Sequence, residues 1–297
     1  MNPSTAPGDN PFDLNDATAY RRWREEKLHG YPETLDALVV EIADPGALTP
    51  AERGAILERV RKTNMAIYVS DVEESRDKEI IRGLGAQLGL RNLDHNMCAD
   101  NDAISSLTVQ EDALHRGYIP YSDRPIAWHA DGYYNRLDQQ IHALLLHCVQ
   151  PAAEGGANDL LDHEILYIRL RDMNPDYIAA LSHPQAMTIP ANIADGVEIR
   201  PARSGPVFMA RPDRRLHMRY TDRSRSIRWR DDPLTEAAVQ QLKALLYGDS
   251  PHHFQGVLQP GQGLISNNVL HTRTRFTNGT PERLLYRARY FDCIAGS

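Results

Sequence analysis

Residues 125–161 read PIAWHADGYYNRLDQQIHALLLHCVQPAAEGGANDLL. Three apolar runs, 126–129, 141–149 and 158–161, are separated by segments rich in Gly, Asn, Asp and Pro. Runs of this length that stop at turn formers predict β-strands rather than helices. The same pattern predicts further strands at 105–109, 186–189, 206–210, 216–220, 254–258, 263–266 and 283–291, the signature of an all-β sandwich or barrel. Two helical insertions interrupt it, one at 163–172 with 175–181 and the other at 233–246 (PLTEAAVQQLKALL).

Upstream of residue 104 the pattern is mixed. A helix is expected over 16–29, a strand over 35–42, a helix over 49–61 from its Thr-Pro start, a strand over 65–69 and a helix over 76–88. The fold class is therefore mostly β with helical additions. The expected organisation is a polar tail over 1–12 and one domain over 13–297, with 13–103 as scaffold and 104–297 as the β core.

The chain has 297 residues, 41% apolar and 25% charged, the range of a globular protein with a substantial core. A net charge of -7 argues against a nucleic-acid surface, because phosphate binding needs a basic face, and points to a small-molecule partner. No stretch of about 18 apolar residues is present, so no membrane span is expected. The first eleven residues lack the basic flank and apolar stretch of a signal peptide. Cys98, Cys148 and Cys293 are too widely and irregularly spaced for a disulfide framework. A cytoplasmic location is expected, and a homo-oligomer is left open. The dense arginines between Arg200 and Arg230 are expected on a solvated or ion-paired face, with an anion-attracting site mouth as the alternative.

His129 and Asp131 stand two apart, so in extended chain they project to the same side. Alone this is a weak signal, since the chain's 12 histidines and 40 acidic residues would give roughly 1.6 His-x-acid pairs by chance. A third element strengthens it. Residues 263–276, GLISNNVLHTRTRF, read as an apolar strand ending at His271 and followed by alternating basic residues. Two imidazoles and a carboxylate on one face of a ferrous ion leave three positions open, which suits a bidentate 2-oxoacid and dioxygen. Such a co-substrate needs a cation for its distal carboxylate, and Arg283 follows His271 by a short stretch. In the run 283–289 (RLLYRAR), Arg283, Leu285, Arg287 and Arg289 would share one strand face; an exposed basic face is the alternative reading.

These residues resemble the taurine dioxygenase family, the group that includes gamma-butyrobetaine hydroxylase-like enzymes. Four pieces carry the likeness in the family's order from about residue 127 onward: Trp128-His129-Ala130-Asp131, Gly155-Gly156, the run His271 to Phe276, and Arg283 with Arg287. The resemblance implies a double-stranded β-helix, or jelly roll, and Fe(II), 2-oxoglutarate and O2 as cofactor and co-substrates. His129, Asp131 and His271 would hold the iron, Arg283 the distal carboxylate of 2-oxoglutarate, and Arg287 the prime substrate. Apart from the resemblance, Tyr133 directly follows the metal motif and is a candidate to line the substrate side, with a core aromatic as the alternative reading. The Thr that follows the Gly-Gly pair in taurine-type members is absent here, and Asn158 would substitute by donating from its amide. Because Asp131 is present where halogenating members lack the carboxylate, hydroxylation is the implied outcome. An arginine facing the iron implies an anionic or zwitterionic substrate.

Other histidines are set aside. His142 and His147 have opposite strand parity, so one is expected buried and the other at a surface or interface. His217, His252 and His253 have no acidic companion at ligand spacing. The turn at 258–263 reads as a tight reversal before the distal strand, and Gly155-Gly156 lacks the residues that would make a phosphate cradle. Two rival functions use the same residues: a non-redox metal-dependent hydrolase, which makes no use of Arg283, and a 2-oxoglutarate-binding sensor without turnover.

Overall fold

The computed structural model describes residues 10–72, 76–95, 100–110, 118–194, 196–223 and 227–297. Cys98 and most of the tail segment lie outside them. Two units are resolved by their internal packing: Pro32–Asp162 with Pro251–Ser297, and Met1–Tyr31 with His163–Ser250. Residues 163–250 thus enter the chain between two strands of the first unit.

In the first unit ten strands form two sheets. They are β1 (Val39–Glu41), β2 (Met65–Val69), β3 (Ile104–Leu107), β4 (Ile126–His129), β5 (Ala143–Gln150), β6 (Asn158–Leu161), β7 (Phe254–Gly256), β8 (Gln262–Ser266), β9 (Leu270–Arg273) and β10 (Leu284–Tyr290). The larger sheet has the order β1-β2-β8-β5-β10-β3, and the smaller has the order β7-β6-β9-β4. Only the β1–β2 pair is parallel; the other pairs within these two sheets are antiparallel.

Helix α2 (Pro50–Thr63) starts in a capping box, Thr49 accepting from the Glu52 N–H while Glu52 reaches back to Thr49, with Pro50 in the first turn. Its Ile56, Leu57 and Val60, with Ile81 and Leu84 of α3 (Glu79–Gln87), pack on one face of the larger sheet. That face presents Ala143, Leu145 and Val149 of β5 and Leu284, Tyr286, Ala288 and Tyr290 of β10. Strand alternation therefore sends Leu144, Leu146, Arg287 and Arg289 to the opposite face, and the pairing of Arg287 with Leu146 and of Arg289 with Leu144 agrees. One sheet thus has an apolar side for helices and a side that carries cations.

The second unit holds α1 (Ala17–Leu28), α4 (His163–Met173), α5 (Pro175–Leu181) and α6 (Pro233–Tyr247). Asp16 caps α1 and Asp232 caps α6, each accepting from a first-turn N–H. Edge-to-face contacts join Phe12 to Trp23 (5.0 Å) and Tyr167 (5.5 Å), and Tyr167 to Phe208 (5.4 Å). Phe12, at the end of the segment read as a tail, is therefore buried. No helix among the described residues is long and apolar enough to cross a membrane.

Three local readings need correction. Only Val39–Glu41 of the expected 35–42 strand pairs, because Leu35–Leu38 closes a 3-10 turn that buries Leu38. The run 263–276 is not one strand: it breaks at Asn267-Asn268 and passes from the larger sheet (β8) to the smaller (β9). Apolar periodicity misses the break because Ile265, Val269 and Leu270 are buried on both sides of it. The hairpin of Asn192–Ala194 with Val197–Arg200 was not expected at all; Ile193 and Val197, 63% and 62% exposed, give it no burial pattern to read. Among the arginines of 200–230, Arg211 and Arg215 pair with Asp213 (3.3 and 4.0 Å) and Arg230 with Asp232 (3.8 Å), the ion-paired face expected. Arg219 departs from it, buried and donating to the carbonyls of Met187, Arg203 and Gly205.

Candidate metal centre

β4 and β9 run antiparallel with His129 directly opposite His271, so both side chains leave the same face, their ring centroids 4.2 Å apart. Asp131 follows His129 by two residues and keeps its side. Gly132 then turns the chain at φ +70, where a Cβ would meet Ile141 Cγ1 at 2.4 Å, so only glycine fits. One ligand atom from each of the three side chains lies within 4.8 Å of the others, and all three residues are buried.

The hydrogen bonds of one ring nitrogen fix the tautomer of each imidazole. His129 Nδ1 lies 3.0 Å from the Ala127 carbonyl and 3.1 Å from the His271 carbonyl, and His271 Nδ1 lies 3.0 Å from the Val269 carbonyl. A carbonyl only accepts, so Nδ1 carries the proton and the Nε2 lone pair is free for a metal. Burial pushes the His129 pKa down to about 3, helped by His271, and burial likewise lowers His271, so both rings are neutral at pH 7. Burial works against the Asp131 carboxylate, but Arg287 and Arg289 outweigh it and hold its pKa below the usual range. Its Oδ1 is 3.7 Å from His129 Nε2, and its Oδ2, which makes no hydrogen bond, faces Arg287 Nη1 at 3.4 Å. Two neutral imidazoles and one ionised, buried carboxylate are a donor set that fits a ferrous ion.

Arg287 and Arg289 share one face of β10, Arg283 stands just before that strand, and none is solvated: Arg283, Arg287 and Arg289 are 4%, 8% and 3% exposed. The exposed-face alternative is thereby excluded. Their partners differ. Arg289 forms a buried pair with Asp94 and donates to Tyr134 Oη at 3.0 Å. Arg283 has no carboxylate partner among the described residues, and its Nη1 is buried without a hydrogen bond. Burial lowers its pKa to about 10, which leaves it charged at pH 7. Gly156 passes close by, a Cβ there falling 3.7 Å from Arg283 Nε.

Asn158 shares the face of Leu160, which pairs with His271, so it belongs to the same side of the smaller sheet as the triad. One of its amide hydrogens already goes to the Thr272 carbonyl at 2.6 Å. Tyr133 is half-buried and lies edge-on to Tyr134 at 5.2 Å. His147 is the buried one of its pair, 2.7 Å from Tyr68 Oη, and His142 is half-buried.

Several residues at the site escaped the sequence reading. Arg273, two residues after His271, is buried and donates to the carbonyls of Ile119 (3.3 Å), Pro120 (3.2 Å), Ser122 (2.6 Å) and Arg124 (2.6 Å). Its guanidinium and that of Arg283 each lie 4.9 Å from the ring centroid of Phe276. Asn268 bonds the backbone of Asp131, and Asp94 pairs with Arg289. Only the alternation of 271–275 hinted at Arg273; Asp94 and Asn268 had no local signal.

A family model described as "Taurine catabolism dioxygenase TauD, TfdA family" matches residues 26–289. Among solved structures, the chain is similar to an asparagine oxygenase in complex with Fe(II), 2S,3S-3-hydroxyasparagine and succinate (TM-score 0.60, 14% identity, 83% of this chain and 81% of that one). It is similar to the non-heme iron oxygenase OrfP in complex with Fe, succinate and (3S)-hydroxy-L-Arg (TM-score 0.62, 14% identity, 84% and 82%). It is also similar to AAD-2 in complex with Mn(II) and N-oxalylglycine (TM-score 0.58, 14% identity, 86% and 93%). At this identity these likenesses show a common fold. No curated protein matches the sequence closely enough to count as a relative.

Proposed function

The chain belongs to the TauD/TfdA family of dioxygenases, and from that premise we propose that it hydroxylates an aliphatic carbon of a small anionic or zwitterionic metabolite. Fe(II) would be held by His129, Asp131 and His271, and 2-oxoglutarate by Arg283 with Asn158, succinate and CO2 being released. When bound, iron and 2-oxoglutarate together supply the oxidant: one atom of O2 enters the substrate and the other enters succinate. The observation that carries the reading is the pairing of three buried donors, both Nε2 lone pairs turned inward, with a buried guanidinium that has no carboxylate of its own.

The protein's part is to bind, orient and exclude water. Arg283 supplies a buried counter-charge matched to a planar carboxylate. Charge counting favours an anionic substrate. A divalent metal, Asp131, doubly charged 2-oxoglutarate and Arg283 sum to zero, and Arg289 with Asp94 sums to zero, so two cations are left over: Arg273, held by backbone carbonyls, and Arg287, which faces Asp131. Arg287 would meet the substrate's anion, and Tyr133 would line the same side. The hydroxylated amino acids bound by the asparagine oxygenase and by OrfP support a zwitterionic substrate of that size.

The strand order supports a jelly-roll core. Counted from β3 to β10 as one to eight, the smaller sheet runs five-four-seven-two and the larger contains six-three-eight-one, the interleaving of a double-stranded β-helix. On that reading 13–297 is one oxygenase domain with 163–250 inserted between its fourth and fifth strands.

The test is anaerobic addition of Fe(II) and 2-oxoglutarate, which should give a weak visible charge-transfer band, followed by air and a panel of amino acids, sulfonates and betaines. Substrate-dependent succinate is the expected result. Zinc binding without the band would favour the hydrolase, and the band without oxidation of any compound would favour the sensor.

A further inference from the structure

The Asn267-Asn268 turn joins β8 to β9, and Asn268 occupies the left-handed region at φ +54 with 1% exposure. Its amide is fully used. Oδ1 accepts the Asp131 N–H at 2.8 Å, and Nδ2 donates to the carbonyls of Asp131 (2.9 Å) and Ile141 (2.8 Å). Reading both backbone groups of one residue copies the double bond of an antiparallel strand pair. Asp131 lies beyond the end of β4, where the ladder to β9 has stopped, so the side chain of Asn268 continues by itself what the backbone no longer provides.

The bracket is fixed from behind. Asn267 donates its N–H to the Asn64 carbonyl at 2.8 Å and its Nδ2 to Asn64 Oδ1 at 2.9 Å, so the turn cannot follow Asp131 if that loop shifts. The residue type is also constrained. Asparagine tolerates positive φ better than other side chains with a branch or more length. Aspartate would turn a charge toward two carbonyls, and an apolar residue would leave three buried backbone groups without partners.

We infer that Asn268 is a positioning residue for the metal centre, setting the reach between Asp131 and His271, which stands three residues after it. The inference rests on the proposed roles of His129, Asp131 and His271. It concerns metal affinity and ligand geometry, not contact with substrate or 2-oxoglutarate.

The experiment is anaerobic titration of the metal-free parent, Asn268→Ala and Asn268→Gly with Fe(II), and with Co(II), whose visible absorption reports ligand geometry. Loss of a partner that orients a ligand should weaken metal binding roughly 10–100-fold in both variants and alter the Co(II) spectrum. Affinity for 2-oxoglutarate, measured at saturating metal, should change far less. Glycine adopts φ +54 without strain, so the Asn268→Gly chain decides the matter if Asn268→Ala does not fold. Metal affinity within about twofold of the parent in Asn268→Gly, with an unchanged Co(II) spectrum, overturns the inference even if thermal stability falls. A parent that takes up no metal overturns the reading of the three ligands, and this inference with it.

Discussion

The guanidiniums of Arg273 and Arg283, both buried, each lie 4.9 Å from the ring centroid of Phe276, and neither is paired with a carboxylate among the described residues. The ring gives each cation an attraction of about 2 kcal/mol when desolvated. Burial already lowers Arg273 to about 9, with Arg283 adding to the shift, and lowers Arg283 to about 10. Replacing Phe276 with Leu removes the ring quadrupole from both guanidiniums and lets Arg283 relax. If Arg283 binds 2-oxoglutarate, the loss is about 1–2 kcal/mol of that affinity, or roughly 5–30-fold in Kd. The assay is anaerobic titration of the Fe(II) protein with 2-oxoglutarate, followed by the visible band. Phe276→Met, which restores volume but no ring, should bind as weakly as Phe276→Leu. A leucine variant that binds within about twofold of the parent refutes the role given to the ring.

Three further outcomes are expected. Arg287→Met should raise the KM for the prime substrate by roughly 10–100-fold, the size of a lost charge-assisted bond of about 1.5–3 kcal/mol, while 2-oxoglutarate affinity changes little; loss of 2-oxoglutarate affinity alone would overturn its assignment to the substrate. Asp94→Asn strands the buried charge of Arg289 and should cost about 3–5 kcal/mol in urea unfolding, whereas the apolar double variant Asp94→Leu/Arg289→Met should recover most of that. Burial holds His147 down to about 4 against an ordinary 6.5, so below pH 6.5 the unfolded chain takes up a proton that the folded chain refuses. Stability contributed by this residue is complete above pH 6.5 and is lost as pH falls toward 4, by up to roughly 3 kcal/mol. Urea midpoints of His147→Gln should fall less over that window, and superimposable profiles would refute it.

Much of the chemistry was legible in the linear chain because it is written in local periods. The two-residue spacing of His129 and Asp131, and of Arg287 and Arg289, states which side chains share a strand face whatever the strand later pairs with. Strong helix starts such as Thr49-Pro50 with Glu52 are equally local. A single sequence holds no such record of which strands become neighbours. That His271 lands opposite His129, that the chain changes sheets at Asn267-Asn268, and that Arg289 is neutralised by Asp94 while Arg283 has no carboxylate partner among the described residues are outcomes of long-range pairing and burial. The residue types set what each group could do. Burial and long-range pairing decided which cation has a carboxylate partner inside the protein and which does not, because only burial separates a solvated arginine from one that must find a partner.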